Sequence, residues 1–432
     1  MEDTDRYDLR VNGGRLQESL EKVANIGATP AGGVQRLALS DEDTRARDLL
    51  VSWLEQLELE VTVDAMGNIF GRRAGCEDDL APVMSGSHLD SQPRGGRFDG
   101  ALGVLGMLEV MRTLRDHEVE TRRPVVIVDW TNEEGSRFSP AMVASGVWAG
   151  ALDLRWAYDR SDIDGKRLGE ELERIGYRGN APCQSFPVHA YYEYHIEQGP
   201  RLEREGKVIG APQGIVCLQW YDVYLKGEAN QVGPTPMEGR HDALCAAAGM
   251  ILEVEALPRK MGGDLVATVG EIQNQPNSRN IIPGEVHFTV DIRSWEDDLA
   301  RRAWGVLERE FLALAERRGC PVEIEETWSV ARSSFDPKLV QRVLGTADAL
   351  DHPSLKMVSG AGHDASYVNQ VCPSAMIFVP SIDGRSHVEV EQTRWQHCEA
   401  GANVLLHCVL ESAAEGRASA SRSLTSRERG KR

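Results

Sequence analysis

Three histidines and two carboxylates, widely separated along the chain, are the residues best suited to chemistry. His88 lies in Gly86-Ser87-His88-Leu89-Asp90, and Asp99 in Gly95-Gly96-Arg97-Phe98-Asp99-Gly100. Glu134 follows in Thr131-Asn132-Glu133-Glu134-Gly135, His195 in Tyr194-His195-Ile196-Glu197-Gln198-Gly199, and His387 in Ser386-His387. Imidazole nitrogens mixed with carboxylate oxygens suit zinc, manganese or cobalt better than magnesium or calcium, which favour oxygen alone. Five ligands exceed the needs of one tetrahedral ion with an open position, but two ions fit if a carboxylate bridges them. Asp99 is the natural bridge, because a neighbouring glycine allows close backbone approach. Asp90, two residues past His88, is placed to accept the imidazole N–H and fix the ring. A single such residue in a loop is ordinarily just solvated. Here all five stand among Gly and Ser, after buried runs, and the set implies metal-assisted hydrolysis.

The elements that must position these groups read as α/β. Pro82-Val83-Met84 and Pro124 to Val128 are short apolar runs, as expected of strands covered on both faces, with polar loops expected from Ser85 to Asp90 and from Asp129 to Glu134. A helical stripe runs between them from Gly103 to about Asp116. Open α/β sheets place their sites beyond the carboxyl ends of strands, where these ligands fall. Gly100, Gly103 and Gly106 lack the G-x-G-x-x-G spacing of a dinucleotide loop. Near Gly214 the pattern changes. A strand at Asp222–Lys226, a helix from Arg240 to about Ala256, strands at Leu265–Val269 and Glu285–Arg293, a helix from about Glu296 to Arg317 and a strand at Pro321–Glu325 follow the order of a split βαβ sandwich. From about Ser329 the α/β pattern resumes, with Ala375–Val379 as a buried strand. The expected organisation is therefore a mixed-sheet, metal-binding catalytic domain over 1–213 and 329–414. Into it is inserted an α+β, ferredoxin-like domain over 214–328, whose edge strand or helical face is available for dimerisation, so a homodimer is expected. Residues 415–432, poor in apolar side chains, are expected to form a disordered tail.

Composition narrows the class. The 432 residues are too many for one ordinary core. A net charge of −19 argues against nucleic acid, whose phosphates require a basic face. No apolar run reaches the length of a membrane span, and the acidic N-terminus is unlike a signal or transit peptide. Eight scattered cysteines without a C-x-x-C pair suit reduced thiols, so a cytoplasmic enzyme is expected.

From Arg15 to Ala413 the chain resembles the amidase/carbamoylase branch of the M20 metallopeptidase superfamily, with N-carbamoyl-L-amino acid hydrolases, β-ureidopropionases and allantoate amidohydrolases. The resemblance is carried by Gly86 to Gly100, Trp130 to Phe138, His195 to Pro200, Pro234 to Met237, Asn280 to Arg293, Gly360 to Ala365 and Ser386 to Glu391. It implies a zinc-exopeptidase-like catalytic domain in which His88 and His195 hold one divalent ion, Glu134 and His387 the other, and Asp99 bridges. Glu133 is implied as general base, taking a proton from the attacking water and delivering it to the leaving nitrogen. Asn280 and Arg293 are implied to bind the substrate carboxylate, Gln198 to touch substrate, and His363 to lie near the reacting carbonyl. One position departs from the pattern. Asn230-Gln231-Val232-Gly233 replaces the usual Asn/Asp-His-Ala-Gly, whose histidine donates to the oxyanion, often across a dimer interface. Gln231 can still donate through its amide but carries no charge. The expected substrate is an N-carbamoyl (ureido) amino acid. Allantoate hydrolysis and a non-catalytic homologue are the alternatives. No H-E-x-x-H is present, so a zincin mechanism is excluded.

Overall fold

In the computed structural model, which describes residues 7–416, the strands form two main sheets and a separate two-stranded pair. Six strands precede residue 216: β1 (Glu60–Val63), β2 (Ile69–Arg73), β3 (Val83–His88), β4 (Val125–Trp130), β5 (Ala190–Ile196) and β6 (Ile209–Ile215). Seven follow: β7 (Cys217–Lys226), β8 (Asn230–Gln231), β9 (Val266–Thr268), β10 (Ile272–Gln275), β11 (Ile281–Ile282), β12 (Glu285–Ser294) and β13 (Val322–Val330). The chain then returns as β14 (Ser333–Ser334), β15 (Ser354–Ser359) and β16 (Ser374–Val379).

The larger sheet runs β1-β2-β4-β3-β5-β16-β6-β14, with β15 also paired to β6. Its centre, β4-β3-β5-β16, is parallel, while β2 and β14 join antiparallel. Every residue of β3, β4, β5 and β16 is buried, as in sheets covered on both faces. Helices Gly13–Ala24, Ala101–Asp116 and Trp395–Ala414 pack on one another. Ala101–Asp116 is buried on nearly all sides, as its apolar sequence requires.

The expected loop at Ser85–Asp90 is corrected: β3 continues through Ser85, Gly86 and Ser87 to His88, and β4 likewise continues through Asp129 to Trp130. Polar residues remain in these strands because the sheet interior partners them. Ser87 Oγ donates to buried Glu193 at 2.9 Å, and Tyr191 Oη donates to the Gly86 carbonyl at 3.2 Å.

The smaller sheet, β10-β12-β7-β13 with β9 beside β12, is antiparallel throughout. Helices Ala243–Met261 and Asp297–Arg318 pack on each other and on this sheet around a separate core that includes Val223, Phe288 and Phe311. This is the split βαβ order, with the first helix starting three residues later than expected. Asp242 caps it, its side chain accepting from Cys245 N. His241 lies just outside that helix. The two sheets meet where β6 passes into β7 and β13 into β14. There Met142, Leu218, Trp328, Val330 and Tyr367 form a third small cluster.

Of the expected tail, Glu415 pairs with Arg342 and His189, and Gly416 accepts from Arg123, so these two residues are docked. The remainder of that expectation, 417–432, lies outside the described residues. Among the described residues no helix is long and apolar enough to cross a membrane.

Candidate active site

Four adjacent parallel strands each deliver polar groups at their carboxyl ends. β3 ends on His88 and leads to Asp99, and β4 leads to Glu133 and Glu134. β5 carries His195 and leads to Gln198, and β16 leads to His387. The ligand atoms of His88, Asp99 and His195 lie within 4.8 Å of one another, as do those of Asp99, Glu134 and His387.

Asp99 divides its oxygens between the two groups. Oδ1 lies 3.1 Å from His195 Nε2 and 3.8 Å from His88 Nε2, whereas Oδ2 lies 3.3 Å from His387 Nε2. His387 Nε2 is also 3.5 Å from Glu134 Oε2. His88 Nδ1–H donates to the main-chain carbonyl of Asp90, and His195 Nδ1–H to that of Ile196, each at 2.9 Å. Those bonds orient each ring with Nε2 toward Asp99. Gly100 must be glycine: its φ is +64°, and a Cβ there would lie 2.3 Å from the His88 ring. A donor set of imidazole and carboxylate at these separations fits a pair of divalent cations.

Asp90 acts differently from the expectation at its side chain. The imidazole N–H is taken by its main-chain carbonyl, while its carboxylate accepts the main-chain N–H of Glu133 at 3.1 Å and of Glu134 at 3.3 Å. It thus ties the loop after β3 to the loop after β4.

Charges are strongly perturbed here. Burial pushes His88 down to about 4. For His195, burial is outweighed by the Asp99 carboxylate, which lifts the imidazole to about 9. For His387, Glu134 and Asp99 likewise outweigh burial and raise it to about 10. Burial raises Glu134 to about 7. Burial, then the neighbouring Asp364 and Glu134 charges, holds Glu133 well above the usual carboxylate range. Glu133 Oε2 is 3.4 Å from His88 Nε2, beside the cluster.

A cavity of about 170 Å³ covers the cluster, lined by Gln198, Arg293 and His363 among others. Gln198 Nε2 donates to Asp99 Oδ2 at 2.8 Å. His363 is buried, which holds its imidazole well below the usual range; its Nε2 bonds Ser359 Oγ at 3.1 Å and its ring edge lies on His195. Arg293 pairs with Asp291 at 2.7 Å and donates to the Gly360 carbonyl at 3.1 Å. Gln231 and Asn280 are not brought to this cavity. Gln231 lies in β8 and Asn280 just before β11, both exposed, and the register of that pair joins Ile281 to Gln231.

The structure also reveals participants missed in the sequence. Gln92 Nε2 donates to Glu134 Oε2 at 2.7 Å. Glu391 accepts from Asp99 N at 3.1 Å and from Ser386 Oγ at 2.8 Å, steadying both sides of the bridge. Glu193 was the one with a visible signal, an acid in the middle of the apolar run Ala190–Ile196.

Known proteins resemble this chain over most of its length. The profile of peptidase family M20/M25/M40 matches residues 84–411. An N-carbamoyl-L-amino-acid amidohydrolase of Rhizobium meliloti is 45% identical over 94% of this chain and 97% of its own. An allantoate amidohydrolase of Bacillus subtilis is 31% identical over 90% and 95%. A crystal structure of an amidase of the hydantoinase/carbamoylase family from Burkholderia vietnamiensis superposes with a TM-score of 0.92, at 50% identity, over 94% of this chain and 99% of that one. The chain therefore belongs to peptidase family M20/M25/M40, on its hydantoinase/carbamoylase branch, and is a hydrolase of C–N bonds.

Proposed function

We propose that this protein hydrolyses the carbamoyl C–N bond of N-carbamoyl amino acids, giving the amino acid, carbon dioxide and ammonia. The observation that carries the reading is the division of Asp99 between two sets of ligands with Glu133 alongside. His88, His195 and Asp99 would hold one divalent ion (zinc, manganese or cobalt), and Asp99, Glu134 and His387 the other. Such ions, when bound, supply Lewis acidity that makes water nucleophilic near neutral pH. Glu133 takes the proton of the attacking water and returns it to the departing nitrogen. His363, buried at the cavity wall, lies near the reacting carbonyl. Gln198 contacts substrate. Arg293 holds the substrate carboxylate with its planar fork, exchanging part of its pairing with Asp291.

The segment 214–328 is read as an inserted lid and dimerisation domain. Gln231 and Asn280 on its exposed arm would then reach substrate by closure of that domain or from a second copy of the chain. The comparison with the Rhizobium meliloti relative supports the ureido substrate. The Bacillus subtilis relative makes allantoate the alternative to assay beside it.

The test is turnover by metal-loaded protein on N-carbamoyl-L-amino acids and allantoate in parallel. Glu133→Gln should lower kcat by about 10²–10⁴-fold while elemental analysis still finds two ions per chain. A wild-type protein inert on all ureido acids, and restored by Gln231→His, would show that the family reaction has decayed here.

A further inference from the structure

The cavity over the cluster has two unlike sides. Asp99, Glu134, His195, His363 and Arg293 line the polar side, and Met142, Leu218, Trp220 and Trp328 the other. The apolar side is built rigidly. Trp328 Nε1–H donates to Tyr367 Oη at 3.2 Å, and its ring meets Trp220 edge-on at 4.7 Å. Met142 adopts a left-handed backbone (φ 55°, ψ 31°), which a long side chain seldom takes without a reason imposed by its surroundings. Its N–H donates to the Glu133 carbonyl at 2.7 Å, and its own carbonyl accepts Gly146 N–H at 3.0 Å. The Met142 backbone is thereby held in fixed relation to the loop that carries the proposed base. Gly362 lies against the same wall. A Cβ there would stand 3.1 Å from Met142 Cε and 3.4 Å from Leu218 Cδ1.

Resting on the ureido-acid reading above, we infer that this wall selects the substrate's α-substituent and that Met142, Leu218 and Trp328 determine specificity. A carbamoyl group directed to the cluster and a carboxylate directed to Arg293 leave one substituent, the amino-acid side chain, to meet the apolar side. The substrate class is therefore N-carbamoyl amino acids with medium-sized aliphatic or thioether side chains, such as leucine and methionine. A charged side chain would be desolvated there without a partner. The volume of about 170 Å³ is small beside the roughly 300–1,000 Å³ of ordinary ligand pockets, so side chains of leucine size are favoured over an indole.

The experiment measures kcat/KM for the N-carbamoyl derivatives of L-leucine, L-methionine, glycine, L-aspartate and L-tryptophan, with binding to Glu133→Gln followed by calorimetry. Leucine and methionine derivatives should exceed the glycine derivative at least about tenfold, since even one methylene in an apolar pocket discriminates by about 10–200-fold. Gly362→Ala, which narrows the wall, should lower kcat/KM for the leucine derivative and leave the glycine derivative nearly unchanged. Leu218→Ala should admit the tryptophan derivative. Trp328→Phe, which keeps the apolar surface, should preserve the ordering. Turnover or binding without this ordering, or equal losses for glycine and leucine derivatives in Gly362→Ala, would overturn the selectivity alone. Neither turnover nor binding of any ureido acid would overturn the proposed function with it.

Discussion

The two halves of the candidate ligand cluster are built from different material. His88 and His195 stand on β3 and β5, both 1% exposed, each with its ring oriented by a main-chain carbonyl. His387 stands in a loop with φ 57°, its side chain 49% exposed, and meets Glu134, itself in a loop. The inner group is held by sheet packing and the outer group by loop hydrogen bonds, with Asp99 common to both. The lesson is that one carboxylate couples a rigid site to a more accessible one, so the two should fail in different ways.

Removing the shared residue should erase the difference. Asp99→Ala is expected to lose both ions and all measurable turnover, and elemental analysis retaining a full complement would break the comparison. Next come the histidines. His195→Ala removes one member of a buried ion pair and should cost about 3–5 kcal/mol of stability in chemical denaturation, along with the inner ion. His387→Ala, half exposed, should cost less than about 1 kcal/mol and lose the outer ion alone. Similar stability losses in the two variants would contradict the distinction.

The pH dependence follows from the shifted groups. His195 and His387 are raised to about 9 and 10, and Glu134 to about 7, so near pH 7 protons compete with cations for these ligands. Apparent cation affinity should rise with pH from 6 toward 9 and fall in acid, with proton release seen as heats that depend on the buffer. An affinity independent of pH over that range would refute the assignment. The smallest effect is expected at Glu391, which touches the main chain of Asp99 and the Ser386 hydroxyl. Glu391→Gln should weaken cation binding by about 10–100-fold without changing the number of ions, as read by competition with a chelator.

Much of this arrangement was legible beforehand because buried parallel strands advertise themselves as short apolar runs, and Val125–Val128 and Ala375–Val379 did so. Their ends were harder to read. Ser85 to His88 looks like a loop by polarity, yet it stays in β3 because Glu193 and Tyr191, a hundred residues later, supply partners. Spacing points the Asp90 carboxylate at the imidazole of His88, but the main-chain carbonyl of Asp90 takes that proton and leaves the carboxylate for the Glu133 loop. Met142, Leu218 and Trp328 carry no polar signal and could not be distinguished from core residues.

Residue type alone specified which chemistry the chain can perform, since imidazoles and carboxylates bind cations wherever they meet and a net charge of −19 disfavours phosphate backbones. Their meeting was a matter for the fold. Only the parallel order β4-β3-β5-β16 brings loops more than two hundred residues apart to one edge of a sheet. Which oxygen faces which histidine, and which wall is left for a side chain, depend on hydrogen bonds and packing between distant segments. Local sequence carries no record of those partners, because their free energy exists only once the segments are in contact.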